Sequence, residues 1–237
     1  MQKRFWEVDV TRGFAVLLMV VYHFFFDLDY FGFLQLDFAS GFFLVFQRVI
    51  AFLFLSLVGV SLVLSRLRGV TLSKNLQRVL ALAGIALLIT LATSIYPGEG
   101  AIVFGIIHFI AVAVLIGYFF TELPAWLNLG LGVLVFGTGS WLAGLSPLET
   151  PLLLWLGLPP AGFYTLDYYP LIPWFGIVLL GIFMAQTMSP FQRIPSPRPA
   201  HAVLGVLDFL GKNALAIYLI HQPVLVALLL VFHSLFG

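Results

Sequence analysis

The chain has 237 residues, of which 62% are hydrophobic and only 9% are charged. Soluble domains carry roughly 25% charged residues, so this composition excludes an ordinary soluble fold, and its apolar content excludes disorder. The formal net charge of +1 indicates no class of partner, and the lack of cysteine excludes disulfides, thiolate metal sites and a cysteine nucleophile. The composition predicts an all-α protein, a polytopic integral membrane bundle that forms one domain over residues 1–237.

Seven apolar segments are predicted to cross the membrane, because about 20 apolar residues in a helix span a bilayer core of about 30 Å. The first segment is expected to be retained rather than cleaved, since it is long, ends in Asp27 and Asp29, and has no small-residue cleavage site. The segments are residues 13–33, 42–64, 76–95, 101–121, 125–145, 171–188 and 213–236.

The basic residues predict how these spans are oriented. All but one of the 11 lysines and arginines lie before span 1, around the link from span 2 to span 3, or between spans 6 and 7, which are alternate loops. Loops rich in lysine and arginine are cytoplasmic, so we expect a cell-membrane protein with a cytoplasmic N-terminus and a C-terminus outside. The residues are Lys3, Arg4, Arg12, Arg66, Arg68, Lys74, Arg78, Arg193, Arg198 and Lys212.

Residues 146–170, between spans 5 and 6, contain an apolar run that is bracketed by prolines and too short to cross the membrane. We expect a short helix that lies at the outer interface or dips into the protein. The aromatic residues of this segment suit the interface, where they either anchor the chain or form a lid or wall against a substrate. The candidate substrate-binding residues are Asp167, Tyr168 and, in span 6, Trp174.

His23, Asp27 and Arg48 lie within spans 1 and 2, where charge costs about 2.5–3.5 kcal/mol on insertion scales and therefore marks a candidate functional site. His23 lies near the midplane, and Asp27 follows on the same helix face, where its carboxylate can orient the imidazole as a general base. Arg48 enters span 2 from the outer side and needs a partner, either Asp27 or an anionic ligand. If these residues have only a structural role, His23 is hydrogen-bonded to a carbonyl and the Arg48 side chain extends to the membrane surface.

Two further histidines lie in spans. His108 enters span 4 from the outer side, and His221 lies in the middle of span 7 beside Gln222 and Pro223, where the proline kinks the helix. A single histidine in a span is often a packing residue, but three at similar depths favour a shared site. No pair has the spacing of a metal-binding motif such as HExxH, so no metal is predicted.

Cationic residues mark the cytoplasmic ends of spans 1 and 7. Arg12 belongs to the sequence that opens span 1, and Lys212 and Asn213 belong to the sequence that opens span 7. A helix N-terminus attracts anions, and added arginine and lysine strengthen the attraction. These residues therefore form either an anion site or ordinary positive-inside anchors.

Four blocks of sequence, in order along nearly the whole chain, carry a resemblance. The blocks are Asp9-x-x-Arg12-Gly13 followed by Met19-Val-Val-Tyr-His23 and Asp27-Leu, then Gly105-Ile-Ile-His108-Phe109, then Asp167-Tyr-Tyr-Pro170-Leu-Ile-Pro173-Trp174-Phe-Gly176, and finally Gly211-Lys-Asn213-Ala-Leu-Ala-Ile-Tyr218-Leu-Ile-His221-Gln-Pro223. Together they resemble the heparan-α-glucosaminide N-acetyltransferase-like family of membrane proteins, in its prokaryotic branch. The opening of the chain is also similar to the membrane acyltransferases that modify bacterial surface polysaccharides, which carry a catalytic histidine late in their first span.

The resemblance implies that an acyl group, in the simplest case acetyl, moves from a cytosolic acyl-CoA to a hydroxyl or amine of a sugar-like acceptor at the outer face. By position, His23 matches the catalytic polar residue of span 1, and Asn213 and His221 match the asparagine and histidine of the last span. The chain also departs from the family. Lysosomal members have asparagine where His23 stands and an essential histidine about eleven residues later, where this chain reads Phe33-Leu34-Gln35.

The hypothesis that follows makes His23, held by Asp27, the base or the acyl carrier. The remaining roles are oxyanion stabilisation by Arg48, His108 or His221, and binding of the CoA phosphates by Arg12, Lys212, Asn213 and Arg78. Acetyl-CoA or another acyl-CoA is then a donor substrate, and no metal takes part.

Two other classes of function stay open. One is a proton-coupled secondary transporter of a small anionic solute, with His23 and Asp27 as the proton relay and Arg48 as the anion site. The other is a structural membrane protein in which the buried polar residues are replaceable. Nucleic acid is not an expected partner, membrane lipid is, and the glycines of span 5 allow close packing against either this chain or a second copy in a homodimer.

Overall fold

The computed structural model describes residues 5–144, 150–188 and 200–236. Within these ranges every named element is a helix, and an isolated parallel β-bridge joins Phe104 to Tyr168. The predicted all-α class is therefore confirmed. Some residues used to predict the orientation lie outside the described ranges, namely Lys3, Arg4, Arg193 and Arg198.

The α-helices are labelled here in chain order, and most of them coincide with a predicted span. They are α1 (Trp6–Tyr30), α2 (Gly41–Leu67), α3 (Leu72–Ile95), α4 (Ile106–Phe120), α5 (Ala125–Ala143), α6 (Leu171–Thr187), α7 (Ala202–Lys212) and α8 (Ala214–Phe236). A short 3₁₀ helix, Pro151–Leu156, lies between α5 and α6.

Helix length separates the helices that are long enough to cross a membrane from two shorter apolar ones. In the described part of the chain five helices, α1, α2, α3, α5 and α8, are long and apolar enough to cross a membrane, as in a membrane-embedded protein. Helices α4 and α6 are apolar but have 15 and 17 residues, or lengths of about 22 and 26 Å at the usual rise per residue. Two of the seven predicted crossings and the cytoplasmic N-terminus therefore stay predictions.

Two helices begin at residues other than those predicted. Helix α1 begins at Trp6 rather than at residue 13, so Arg12 lies inside the helix and not at its N-terminus. Helix α4 begins later than residue 101, because the preceding segment pairs with a distant loop: the Tyr169 N–H donates to the Phe104 carbonyl at 3.0 Å. A hydropathy pattern cannot reveal such pairing, since the paired residues are themselves apolar.

The apolar run near residue 152 forms a short helix, as predicted. The Thr150 side chain accepts from the Leu152 N–H, and Gly157 ends the helix with φ at 117°, a left-handed conformation that favours glycine. Residues 146–149 of this segment lie outside the described ranges. Its location at the outer interface stays a prediction.

The chain divides into two compact units. The first contains Met1–Phe54 and Ile194–Gly237, and the second contains Leu55–Arg193, so the boundary falls within α2. The first unit thus holds α1, α7 and α8, and the second holds α3, α4, α5 and α6.

In the first unit, α7 crosses α1 in antiparallel direction at very close range. A Cβ placed on Gly13 would lie 1.8 Å from the Leu207 carbonyl oxygen, and one on Gly211 would lie 1.7 Å from the Asp9 carbonyl oxygen. The sequence analysis placed a loop between spans 6 and 7, and α7 corrects that expectation. With 11 residues it is too short to give a span-like hydropathy signal.

Helix α8 runs in the same direction as α1. Near the middle of α1, His23 contacts His221, and just after its end Phe33 contacts His233. The chain therefore reverses between α7 and α8, at Asn213. This reversal places the polar residues of α8 beside those of α1.

In the second unit, glycines allow α6 to pack closely on two neighbours. A Cβ at Gly181 would lie 2.1 Å from the Ser56 carbonyl oxygen of α2, and one at Gly176 would lie 2.6 Å from the Gly132 carbonyl oxygen of α5. Some glycines of α5 therefore pack within this chain. Gly130 meets no atom of the described residues within 4 Å, and for this glycine packing against a second copy stays open.

Candidate functional site

Two of the three predicted membrane histidines meet in the first unit. The rings of His23 in α1 and His221 in α8 pack edge to face, with centroids 4.8 Å apart and an interplanar angle of 77°. His221 is buried, and His23 is half-buried. The parallel packing of α1 and α8 thus joins residues that are nearly 200 positions apart in the sequence.

The backbone sets the tautomer of each ring. Nδ1 of His23 lies 2.9 Å from the Met19 carbonyl oxygen, and Nδ1 of His221 lies 2.7 Å from the Tyr218 carbonyl oxygen. A carbonyl oxygen only accepts, so each Nδ1 carries the hydrogen and each neutral ring has its lone pair on Nε2. Both rings are therefore arranged as proton acceptors, and neutral His221 has no Nε2–H to donate to an oxyanion.

Asp27 lies one helical turn from His23 but does not hold that ring. Its Oδ1 accepts a hydrogen bond of 2.6 Å from Nε2 of Gln222 in α8, and the side chain is almost fully buried. The Asp27 carboxylate was expected to orient His23, which was wrong because a carbonyl of its own helix holds the His23 ring. Of the two partners left open for Arg48, Asp27 does not pair with it, because the described partner of Asp27 is Gln222.

The remaining polar atoms of this group are acceptors. Among the described residues, Oδ2 of Asp27, Oε1 of Gln222 and Nε2 of His221 are buried without a hydrogen-bond partner. The orientation of the Gln222 amide follows from its bond to a carboxylate, which only accepts. Buried polar atoms are normally hydrogen-bonded, so the chemically matched occupant of this site carries N–H or O–H donors.

Arg48 stands apart from this group. Its side chain is exposed on α2, and within the described ranges no carboxylate forms a salt bridge with it. This placement fits the alternative in which the arginine reaches the membrane surface.

His108 belongs to the second unit and has both ring nitrogens engaged. The Gly105 N–H donates to its Nδ1 at 3.3 Å, so Nε2 carries the hydrogen and donates to the Thr90 hydroxyl at 3.0 Å. That hydroxyl in turn donates to the Ile102 carbonyl at 2.6 Å. The arrangement fits a histidine that closes the N-terminus of α4, rather than an oxyanion donor.

Two of the cations proposed to bind CoA, Arg12 and Lys212, each have a carboxylate partner. Arg12 lies 2.7 Å from Asp9, and Lys212 lies 2.6 Å from Asp208. Both pairs flank the crossing of α1 and α7, so the structure brings the two cations to one region of the first unit. Asn213 caps α7 by donating to the Phe209 carbonyl, and Arg78 is exposed on α3 in the second unit.

Replacing Arg12 by alanine is expected to lower the free energy of unfolding by about 2 kcal/mol, since it leaves a buried carboxylate without its cation. The double variant Asp9→Asn with Arg12→Gln removes both charges and should recover most of the loss. Thermal unfolding in detergent measures both effects. Equal losses in the single and double variants would contradict this explanation.

Asp167 caps α4 from another part of the second unit. Its Oδ2 accepts a 2.8 Å hydrogen bond from the Ile106 N–H. The approach requires glycine at position 105, where a Cβ would lie 2.3 Å from that oxygen. Burial raises the pKa of Asp167 from 3.8 to about 6, although the bond from Ile106 opposes the rise.

The other two predicted substrate-binding residues pack near this loop. The Tyr168 hydroxyl donates to the Leu154 carbonyl at 2.6 Å, and burial raises the pKa of Tyr168 to about 12. The Trp174 ring lies 5.0 Å from the ring of Tyr169. These contacts fit the anchoring alternative for the segment, and its contact with a substrate stays a prediction.

The raised pKa of Asp167 predicts a pH-dependent stability. The folded state binds the proton more tightly than the unfolded state, so this stabilisation is complete below about pH 4 and is lost as pH rises through about 6. The loss amounts to about 3 kcal/mol for a shift of this size. Between pH 4 and 7, the unfolding temperature of Asp167→Asn should change less with pH than that of the wild type, because asparagine keeps the acceptor and does not titrate. The same pH dependence in both proteins would show that Asp167 is not the titrating group.

The contacts of three polar residues of the first unit were not predicted from the sequence. Asp9 and Asp208 carry a signal that could have found them, because they lie three and four residues before the cations that they pair with. Gln222 carried no such signal for its bond to Asp27, since 195 positions separate the two residues.

The family model described as heparan-alpha-glucosaminide N-acetyltransferase, catalytic, matches residues 4–223. That range contains every candidate site residue, from Arg12 to His221. No curated protein and no solved structure matches the chain. Since the match covers nearly the whole chain, and the four sequence blocks within it resemble the same proteins, the chain belongs to the heparan-alpha-glucosaminide N-acetyltransferase catalytic-domain family.

Proposed function

We propose that the protein is a membrane acyltransferase that moves an acyl group, in the simplest case acetyl, from cytosolic acyl-CoA to a hydroxyl or amine at the outer face. The observation that carries the proposal is the contact of His23 with His221, each ring held through Nδ1 and each with its lone pair on Nε2. Such rings accept protons, as a base in acyl transfer must. Membership of an acetyltransferase family supports the same chemistry.

His23 is the reacting residue in this proposal, because the residue is half-buried whereas Nε2 of His221 is buried. Its Nε2 takes the proton of the acceptor, whose oxygen or nitrogen attacks the thioester carbon. The C–S bond breaks, and the departing thiolate takes the proton from the His23 imidazolium. In the alternative covalent mechanism, Nε2 of His23 first takes the acyl group as the C–S bond breaks. The acceptor then attacks the acyl carbon, the bond from Nε2 to that carbon breaks, and the acceptor's proton passes to the thiolate.

The acceptor is proposed to be sugar-like and to approach from the outer side. The unpartnered acceptor atoms of Asp27, Gln222 and His221 suit a group that carries several N–H or O–H donors. Contact of Asp167, Tyr168 and Trp174 with a substrate is a separate proposal, because these residues belong to the second unit.

The donor is proposed to bind at the cytoplasmic side of the first unit. Arg12 and Lys212 supply positive charge to the CoA phosphates, with Asn213 nearby in the same unit. The phosphates compete there with Asp9 and Asp208 for the same cations. The pantetheine arm then extends between α1 and α8 to the thioester position near His23.

Binding of acetyl-CoA to the purified protein in detergent tests this proposal, with CoA and a longer acyl-CoA for comparison. We expect micromolar binding by the wild type and weaker binding by Asp9→Asn with Arg12→Gln, which removes the cation without stranding the buried carboxylate. An unfolding curve for each variant shows that the protein is folded. If the folded wild type binds no acyl-CoA, the proton-coupled transporter becomes the better explanation, and solute uptake into proteoliposomes is the next measurement.

A further inference from the structure

We infer that Gln222 is a positioning residue, which sets the contact between His23 and His221 by clamping Asp27. The inference rests on the proposed function for its kinetic effect, but its geometric part can be tested separately. Gln222 donates to Oδ1 of Asp27 at 2.6 Å, and this bond joins α8 to α1 one helical turn from the histidine contact.

The position of Gln222 in α8 makes such a clamp necessary. Pro223 lacks an N–H, so the carbonyl four residues earlier loses the hydrogen bond that normally continues the helix. A helix is weakened where that bond is missing, and His221 lies at this weakened point. A hydrogen bond to a buried carboxylate is stronger than one between neutral groups, and it restrains both the rotation and the register of α8.

The clamp also explains why Asp27 is buried without an ion pair. Its carboxylate does not hold either histidine ring, because each ring is held by a carbonyl of its own helix. Its described partner is the Gln222 amide, so the carboxylate serves as the fixed point on α1 to which α8 is tied. Loss of the clamp should therefore shift His221 relative to His23 while leaving both tautomers intact.

The kinetic test compares Gln222→Leu with Val224→Leu, a control substitution on the exposed side of the same helix. Misplacement of a reacting group by about 1 Å costs about 100-fold in rate, so kcat should fall by that order in Gln222→Leu. The KM for acetyl-CoA should stay close to that of the wild type, because the donor cations lie elsewhere in the unit. Wild-type kcat in a folded Gln222→Leu variant would overturn the inference.

The pH dependence of activity in Gln222→Glu distinguishes a positioning role from a purely structural one. The titratable groups of α1 and α8 near this side chain are Asp27, His23 and His221, and Arg48 of α2 forms no salt bridge with Asp27. Two ionised carboxylates repel, whereas a carboxyl and a carboxylate share one proton in a hydrogen bond. The activity of Gln222→Glu relative to wild type should therefore rise by about fivefold or more from pH 8 to pH 5.5. For Gln222→Leu that ratio should stay flat, and a flat ratio for both variants would overturn the inference.

Chemical labelling tests the hydrogen bond between Gln222 and Asp27 without an activity measurement. Diethyl pyrocarbonate modifies accessible neutral imidazoles, and peptide mass spectrometry assigns each modified histidine. We expect labelling of His23 but protection of His221 in the wild type, and loss of that protection in Gln222→Leu. Unchanged protection would overturn the clamp. If the wild type transfers no acyl group to any acceptor, the proposed function fails, and the labelling result still decides the role of Gln222.

Discussion

Replacing His23 by glutamine is expected to lower kcat for acyl transfer by about a thousandfold, the usual range for loss of a general base. Glutamine keeps a polar side chain of similar length but cannot take a proton at neutral pH. Binding of acetyl-CoA should change little, because the proposed donor cations lie at the other end of α1. The effect should therefore appear in kcat rather than in KM, as expected for an interaction made mainly in the transition state.

Radiolabelled acetyl-CoA, an acceptor mixture and the purified protein in detergent provide the assay. The matched control is His233→Gln, which changes an exposed histidine on α8 that contacts Phe33 and lies away from the paired rings. His221→Gln should give a smaller loss, because His221 does not present its Nε2 to the surface. Transfer at the wild-type rate by folded His23→Gln protein would remove His23 from the mechanism.

Replacing Gly13 by alanine is expected to destabilise the first unit by more than about 4 kcal/mol, an effect found only for severe changes in packing or backbone. The new methyl group would lie 1.8 Å from the Leu207 carbonyl oxygen, which is a backbone atom and cannot turn away as a side chain can. Gly211→Ala should behave alike, since its methyl group would lie 1.7 Å from the Asp9 carbonyl oxygen. Relief of either clash requires α1 and α7 to separate.

Size-exclusion chromatography and thermal unfolding in detergent measure this effect. Gly130→Ala and Gly84→Ala are the controls, because both glycines are helical and their Cβ positions meet no atom of the described residues within 4 Å. At these positions alanine should be neutral or stabilise by about 0.5–1 kcal/mol. If Gly13→Ala and Gly211→Ala were both as stable as the wild type, α7 would not pack closely on α1.

The positions of the long helices could be predicted because hydropathy depends on local composition. The predicted span 42–64 became Gly41–Leu67, and 213–236 became Ala214–Phe236. Helix α7 could not be predicted in this way, because a short amphipathic segment resembles a loop in hydropathy. The late start of α4 was also hidden, since it depends on a backbone pairing with a segment about 60 residues away.

The candidate site was predicted only in part, for a related reason. Depth along a span follows from the sequence, so His23 and His221 were placed at similar levels. The direction in which each helix turns its side chains does not follow from depth. Asp27 was therefore left open as a partner of Arg48, whereas α1 turns its carboxylate toward Gln222 and α2 leaves its arginine exposed.

The ion pairs at the crossing of α1 and α7 affect how the proposed acyl-CoA donor would reach the protein. The side chains of Arg12 and Asp9 together carry no net charge, and neither do those of Lys212 and Asp208. Paired charges produce only a short-range field, so these four side chains exert little long-range attraction on a polyanion. Capture of the donor through them then depends on direct contact, and its rate should vary less with ionic strength than capture by bare cations would.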